Sequence, residues 1–458
     1  MNCTAIRLGV WSFVFFSSQM AVAFEPLAFT VVGPQGRSHV RVVTPATQCP
    51  QIQWNDGPSQ TMAVRAAPGQ IPARSGGAQE AKDAVFDVLT CEAPWPTGVQ
   101  IARVGSQTVR TFAPQKVKRI VVIADTGCRM KGSENAFQDC NEPHKWPFAQ
   151  LSQSAVDKRP DLVIHIGDIH YRESPCPDDR KGCQNSPWGY GFDSWEADFF
   201  KPAKSLLMAA PWVFVRGNHE TCARAGQGWF RFMDSGPWKI GRNCNSPDQD
   251  DEADYSAPYA VPLNGDTQFL IFDSSKTAGK KLSSTDAMYQ RYQEQLLALE
   301  KLSTLKKNNI FLSHHPLLAI APNASGKTIK SGGNSSLLSV FQSRYAHQIF
   351  PEGVQWVMHG HIHAFESLSF KGDQPASLIM GNSGSVSEGV LPKNLDDSFP
   401  LLPNVHVQHY ASNTAYGFGL IELPDDPKDP WKLTEFDVLG HALMECAIAH
   451  KKSVCRPL

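Results

Sequence analysis

Neither sign of charge is in surplus in this sequence: 43 Lys and Arg stand against 44 Asp and Glu, a formal net charge of -1. That balance excludes a basic face for electrostatic capture of nucleic acid, so no nucleic-acid partner is expected. Beyond residue 23 no apolar run is long enough to cross a bilayer, and no membrane span is expected in the mature chain. No C-x-x-C pair occurs, which argues against a thiolate metal site. No internal repeat is visible, which removes repeat architectures.

What is present suits a folded chain with a substantial core. Hydrophobic residues make up 41% and charged residues 19% of the 458, enough for one large domain and a smaller one. At the N-terminus Arg7 is the only charge before Glu25, the apolar stretch LGVWSFVFF follows it, and Ala21-Val22-Ala23 forms a cleavage pattern before Phe24. This predicts a signal peptide over 1–23 and an exported protein, periplasmic or secreted. Of eleven cysteines, Cys3 leaves with that signal. The other ten fall in close sequential pairs: Cys49 and Cys91, Cys128 and Cys140, Cys176 and Cys183, Cys222 and Cys244, Cys446 and Cys455. An oxidising compartment favours disulfides, and neighbour pairing is the simplest of the connectivities the sequence allows.

Residues 24–115 carry short β-like pieces (FTVV, HVRVV, AVFDVL, TVRTF) separated by Pro- and Gly-rich turns, which predicts a small all-β, sandwich-like domain. From 116 to 440 strands alternate with helical stretches. RIVVIAD, DLVIHIGD, WVFVRGN, TQFLIFDSS, NIFLSHH and VQWVMHG read as strands; 147–159, 194–207 and 287–302 read as helices. The pattern is that of a layered α/β domain. Gly- and Ser-rich stretches at 324–337 and 381–388 read as loops, and 441–458 as a C-terminal tail with its own cysteine pair.

Five of these strands end in polar clusters: Asp125 with Gly127; Asp168 with Tyr171; Asn218, His219 and Glu220; His314 and His315 before Pro316; His361 and His363. Carboxyl ends of strands are where open α/β sheets build their sites. Two carboxylates, an amide, a phenol and three histidines exceed what one four-coordinate ion needs. They suit two hard or borderline ions that share a carboxylate, an arrangement used for phosphoryl transfer.

Taken in order, Asp125-x-Gly127, Gly167-Asp168-x-x-Tyr171, Gly217-Asn218-His219-Glu220, His314-x-Pro316 and Gly360-His361-x-His363 resemble the calcineurin-like metallophosphoesterase superfamily. The tyrosine of GDIHY and the run GHIHAFE resemble its purple acid phosphatase branch. The resemblance implies a four-layer α-β-β-α sandwich preceded by the small β domain. It implies a first metal held by Asp125, Asp168, Tyr171 and His363, ferric in purple acid phosphatases, with Asp168 bridging. A second ion, Fe, Zn or Mn, would sit on Asn218, His314 and His361. His219 would be a catalytic histidine near the leaving group, and a hydroxide between the ions the nucleophile. The implied activity is hydrolysis of a small phosphate ester, a monoester first. Diester hydrolysis of nucleotide or lipid head-group substrates is the alternative, and a non-catalytic exported binding protein on the same fold is the distant one.

Other residues carry weaker expectations. Arg224 could clamp a phosphate oxygen or equally be an ordinary surface arginine, and His315 could reach substrate or pack. His165 and His170 read as structural, His144 as a surface residue. The segment 173–195 reads as a disulfide-pinned rim loop bearing Trp188, Tyr190 and Trp195. Glu220 and Glu366 could orient neighbouring histidines or equally be ordinary buried hydrogen-bonding partners, and the acidic run 248–255 reads as a solvated loop.

Overall fold

The computed structural model describes residues 24–74, 81–323, 329–345, 348–387, 389–395, 399 and 401–458; the expected signal peptide, 1–23, lies outside them. Two large sheets lie face to face. The first has eleven strands, with Gly417–Glu422, Arg119–Ile123, Leu162–Ile166 and Trp212–Val215 at its centre. The second has seven, centred on Thr267–Ile271, Asn308–Leu312, Val354–His359 and Ala376–Met380. Gly417–Glu422 pairs antiparallel with Arg119–Ile123, and the other central neighbours pair in parallel, as in Val121 with Val163, Ile164 with Val213, Leu270 with Phe311 and Phe311 with Val357. Strands buried on both faces need unbroken apolar runs, which is why RIVVI, LVIHI and WVFV do not alternate.

The core falls into layers. Ile120, Val122, Ile164 and Val215 of the first sheet meet Phe269, Ile310, Leu312 and Met358 of the second. On the outer face of the first sheet, Val121, Val163 and Phe214 pack on Phe148, Leu151, Phe199 and Leu206. On the outer face of the second, Leu270, Phe311 and Val357 pack on Leu296, Leu299 and Phe341. The helices are Phe148–Asp157 and the Phe192–Ala209 region on one side, Ala287–Ser303 and Ser335–Arg344 on the other. The result is the expected α-β-β-α sandwich.

The N-terminal β region has a small core of its own, with Ala28, Val40, Val42, Ile52, Ala102 and Val104, closed by the Cys49–Cys91 disulfide. It also joins the large sheet. Leu27–Val32 meets Trp212–Val215 in parallel at Val31 and Trp212, and Ser38–Thr44, Leu89–Pro94 and Ala63–Ala66 extend the sheet from there. Leu27, Phe29 and Val31 therefore point into the helix-covered core, while Ala28 points into the small one.

Two stretches are ordered otherwise than expected. Ser335–Arg344, which begins inside the Ser-rich 324–337 stretch, is a helix capped by Asn334, whose side chain accepts the N–H groups of Ser336 and Leu337 at 3.1 Å. Beyond the 381–388 stretch, five strands lie between Val407 and Pro457: Val407–Asn413 closes an edge of the second sheet, and the other four continue the first sheet outward from Arg119–Ile123. Residues 441–458 supply the two outermost strands of the first sheet, joined across the pair by Cys446–Cys455. The other neighbour pairs, Cys128–Cys140, Cys176–Cys183 and Cys222–Cys244, are disulfides as well. Among the described residues no helix is long and apolar enough to cross a membrane.

Candidate metal centre

The polar clusters converge where the carboxyl ends of both sheets meet. Asp125, Asp168 and Asn218 follow strands of the first sheet; His314, His361 and His363 follow strands of the second. The loops carrying the two aspartates are laced together by backbone: Asp125 N–H donates to Gly167 carbonyl at 3.0 Å, and Thr126 N–H to Asp168 carbonyl at 3.1 Å. Asp125, Asp168 and His361 hold φ of 55°, 56° and 71°. Left-handed backbone at non-glycine residues is uncommon, and here it turns three strand ends so that their side chains point inward. Gly217 is forced by proximity, because a Cβ there would collide with the backbone nitrogen of Asp168.

All seven expected ligand side chains come together. Oδ2 of Asp168 lies 3.0 Å from the Tyr171 hydroxyl and 3.1 Å from Nε2 of His314. The Tyr171 hydroxyl is 2.8 Å from Oδ1 of Asp125 and 2.8 Å from Nε2 of His363. Oδ1 of Asn218 is 3.2 Å from Nε2 of His314 and 3.1 Å from Nδ1 of His361. The ligand atoms of Asp168, His314 and His361 all lie within 4.8 Å of one another.

This donor set fits cations because it is short of protons. Nδ1 of His314 faces the Ile166 carbonyl at 2.8 Å, and Nδ1 of His363 faces the Val386 carbonyl at 2.8 Å. A carbonyl only accepts, so each Nδ1 carries hydrogen and each neutral ring turns the lone pair of its Nε2 inward. On the tyrosine side one phenolic proton serves two carboxylate oxygens and that lone pair. On the other side, lone pairs of His314 and Asn218 face each other and Asp168. Protein groups alone compensate with protons: burial opposes a charge on His314, yet Asp168, by charge and hydrogen bond, lifts its pKa to about 9. Burial, then Asp125 and Asp168, push the Tyr171 phenol well above its ordinary value. A cation reverses both tendencies. Asp125, Asp168, Tyr171 and His363 could hold one ion, and Asp168, Asn218, His314 and His361 a second.

His219 stands beside this cluster. Its ring centroid is 3.9 Å from that of Tyr171, its Nε2 3.7 Å from Oδ2 of Asp168, and its Nδ1 3.0 Å from Oε1 of Glu173. Arg224 binds the same Glu173 oxygen, approaches both ring nitrogens of His219 and donates to the Asn218 carbonyl at 3.2 Å. Its guanidinium thus braces the histidine. Burial works to raise the Glu173 pKa, but Arg224 and His219 bring it down to about 2. His315 is buried, donates from Nδ1 to the Ser274 carbonyl at 2.7 Å and lies 4.3 Å, ring to ring, from His361.

The supporting residues divide between those legible from motifs and those that were not. Glu220 accepts the N–H groups of Asp168 and Gly217 at 3.0 Å, Ile169 at 2.8 Å and His170 at 3.1 Å, so it ties two metal loops together instead of orienting a histidine. Glu366 binds the Ile320 N–H, not a site histidine. His165 and His170 are buried on Thr126 and Ser194, and His144 is at the surface. Trp195 is core. The acidic run is only partly solvated, since Asp254 is buried against Cys222 and Lys276. Glu173 and Asp198 escaped sequence reading. Asp198 accepts the N–H of Tyr171 at 2.7 Å from a helix 27 residues away, and nothing in its local sequence marks it.

A family model for calcineurin-like phosphoesterases matches residues 118–365. No curated protein matches the chain. Among solved structures, a purple acid phosphatase, PPD1, from yellow lupin (Lupinus luteus) seeds is similar at TM-score 0.55 and 14% identity, covering 94% of this chain and 74% of its own. PhoD is similar at TM-score 0.53 and 13% identity, covering 95% and 91%. At such identities the two structures establish a shared fold. The family match spans more than half of the sequence and includes the loops that carry Asp125, Asp168, Asn218, His314, His361 and His363, so the chain belongs to the calcineurin-like phosphoesterase family, hydrolases of phosphate esters.

Proposed function

We propose that this protein is an exported, dinuclear-metal phosphomonoesterase of the acid phosphatase kind. The observation that carries the reading is the single oxygen of Asp168 that faces Tyr171 at 3.0 Å and His314 at 3.1 Å, with ligand-type side chains on both flanks. On this reading Asp125, Asp168, Tyr171 and His363 hold a ferric ion, and Asn218, His314 and His361 hold iron, zinc or manganese. When bound, the two ions supply an acidified water and neutralise charge on the phosphate oxygens. His219, held by Glu173 and Arg224, donates a proton to the leaving oxygen. His315, beside His361, lines the substrate side. Five disulfides favour an oxidising compartment, periplasmic or extracellular.

The test compares kcat/KM for an aryl phosphate with that for its bis-aryl diester on purified mature protein, from acidic to neutral pH. A monoester preference supports the proposal; a diester preference replaces it with a phosphodiesterase on the same centre. Chelation should abolish activity and metal return should restore it. Protein that binds metal but hydrolyses neither ester would be a binding protein on this fold. An intense visible band in iron-loaded protein would support phenolate ligation by Tyr171, and a colourless active zinc or manganese enzyme would remove the ferric assignment alone.

A further inference from the structure

Gln138 lies outside every motif read from the sequence, and both ends of its amide are hydrogen-bonded beside the centre. It is buried, 7% exposed, in the loop closed by Cys128–Cys140. Its Oε1 accepts the N–H groups of Arg129 at 3.2 Å and Val386 at 3.3 Å. Its Nε2 donates to the carbonyls of Lys145 at 2.7 Å and Gly384 at 3.0 Å, and lies 3.0 Å from the Tyr416 hydroxyl. The amide therefore straddles Ser385, with its donor on the residue before and its acceptor on the residue after.

What hangs from that three-residue segment is the tyrosine half of the centre. Ser385 N–H donates to the Asp125 carbonyl at 2.8 Å, and its hydroxyl donates to the Gly127 carbonyl at 2.8 Å. The Val386 carbonyl receives Nδ1 of His363 at 2.8 Å and so fixes which ring nitrogen turns inward. Gly384 can only be glycine, since a Cβ there would collide with the Thr126 carbonyl. The segment thus reaches Asp125 and His363 through backbone atoms. The Ser385 hydroxyl anchors its middle to the Gly127 carbonyl, and the Gln138 amide anchors the residues on either side. By contrast, Nδ1 of His314, in the other half, rests on the Ile166 carbonyl, which sits in a central strand and needs no such brace.

We propose that Gln138 is a positioning residue for the ion on Asp125, Tyr171 and His363, acting through the Gly384–Val386 backbone on the His363 tautomer and the Asp125 loop. The inference rests on the dinuclear reading above. Partners one step out from a ligand set metal affinity over about 10- to 100-fold, and Gln138 acts one step further, so the expected effect is near tenfold.

The test titrates metal-free full-length protein with zinc against a chromophoric chelator, which reads binding without activity. Wild type should take two ions. Gln138→Met keeps the volume and removes both hydrogen-bonding halves; it should weaken one of the two sites about tenfold and leave the other unchanged. Gln138→Glu keeps an acceptor for Val386 but turns the donor into an oxygen that faces the Gly384 and Lys145 carbonyls, so it should weaken the same site as Gln138→Met, while Tyr416→Phe, which leaves both carbonyl bonds of the amide in place, should bind as wild type. Should Gln138→Met not fold, Gln138→Asn, whose shorter amide cannot span Ser385, serves in its place. Wild-type affinity at both sites in the folded Met or Asn variant overturns the proposal. So does an equal loss at both sites, since that is general destabilisation. Wild-type protein that takes no zinc overturns the dinuclear reading itself, a result distinct from either.

Discussion

The backbone N–H of His219 donates to Oδ1 of Asp168 at 2.8 Å, which leaves Oδ2 as the oxygen that faces Tyr171 and His314. One carboxylate thus splits its duties: one oxygen holds a loop, the other faces the centre. Asp168→Asn can keep the loop bond with its amide oxygen, but then presents N–H hydrogens to a cluster built to surround cations. The variant should fold, lose metal by more than the roughly 100-fold that an outer partner is worth, and lose hydrolysis with it. Elemental analysis beside a thermal melt checks this; a metal-replete, fully active variant would sink the assignment.

The His219 ring is braced by Glu173 and Arg224. A leaving-group acid shows itself by selectivity. His219→Ala should lower kcat about 10²- to 10⁴-fold for alkyl phosphates, whose leaving oxygen needs a proton. The loss should be much smaller for an activated aryl phosphate, with metal content unchanged. An equal loss for both substrates would place His219 in substrate binding.

Both oxygens of Glu220 accept backbone N–H groups, four in all from the Asp168 and Asn218 loops. Glu220→Gln turns one accepting oxygen into a donor that faces donors. The expected cost is about 1–3 kcal/mol of stability, read by denaturant melts, with kcat falling more than KM changes. A variant as stable as wild type would show that these loops are held elsewhere.

Glu435 is fully buried, with Oε1 accepting from Asn382 at 3.0 Å and Asn413 at 3.1 Å. Burial raises its pKa from 4.5 to about 8, more than the two amide bonds lower it. The folded protein therefore keeps a proton that the unfolded chain releases. The stabilisation this brings is complete below about pH 4.5 and is lost as pH rises through about 8. Glu435→Gln should match wild type in acid and exceed it above pH 8 by a few kcal/mol, since each tenfold difference in proton affinity between folded and unfolded chain is worth about 1.4 kcal/mol. Parallel stability curves for the two proteins would refute the buried proton.

The proposed ligands were legible because each stands at or just past the end of an apolar strand and brings its chemistry in its own side chain. Asp125, Asp168 and Tyr171, Asn218, His314, His361 and His363 could be read in chain order for that reason; strands alternating with helices gave a layered α/β domain, and the four layers came from the family resemblance. Ser335–Arg344 was hidden by a serine-rich composition whose asparagine cap is visible only once the helix is known. The strands beyond Ser385 were hidden because strand propensity depends on packing against sheet neighbours, and Gly417–Glu422 and Val407–Asn413 find theirs far away in sequence.

What the sequence by itself determined is therefore the kind of chemistry: which donor atoms exist, and that they sit at strand ends. Tertiary structure alone decided how they are held. Glu173 reaches His219 across 46 positions, and Gln138 reaches Val386 across 248. The tautomers of His314 and His363 are set by carbonyls of Ile166 and Val386, atoms every residue carries. A hydrogen bond to a backbone atom leaves no mark on the residue that supplies it, so only the fold could show which peptide groups support the centre.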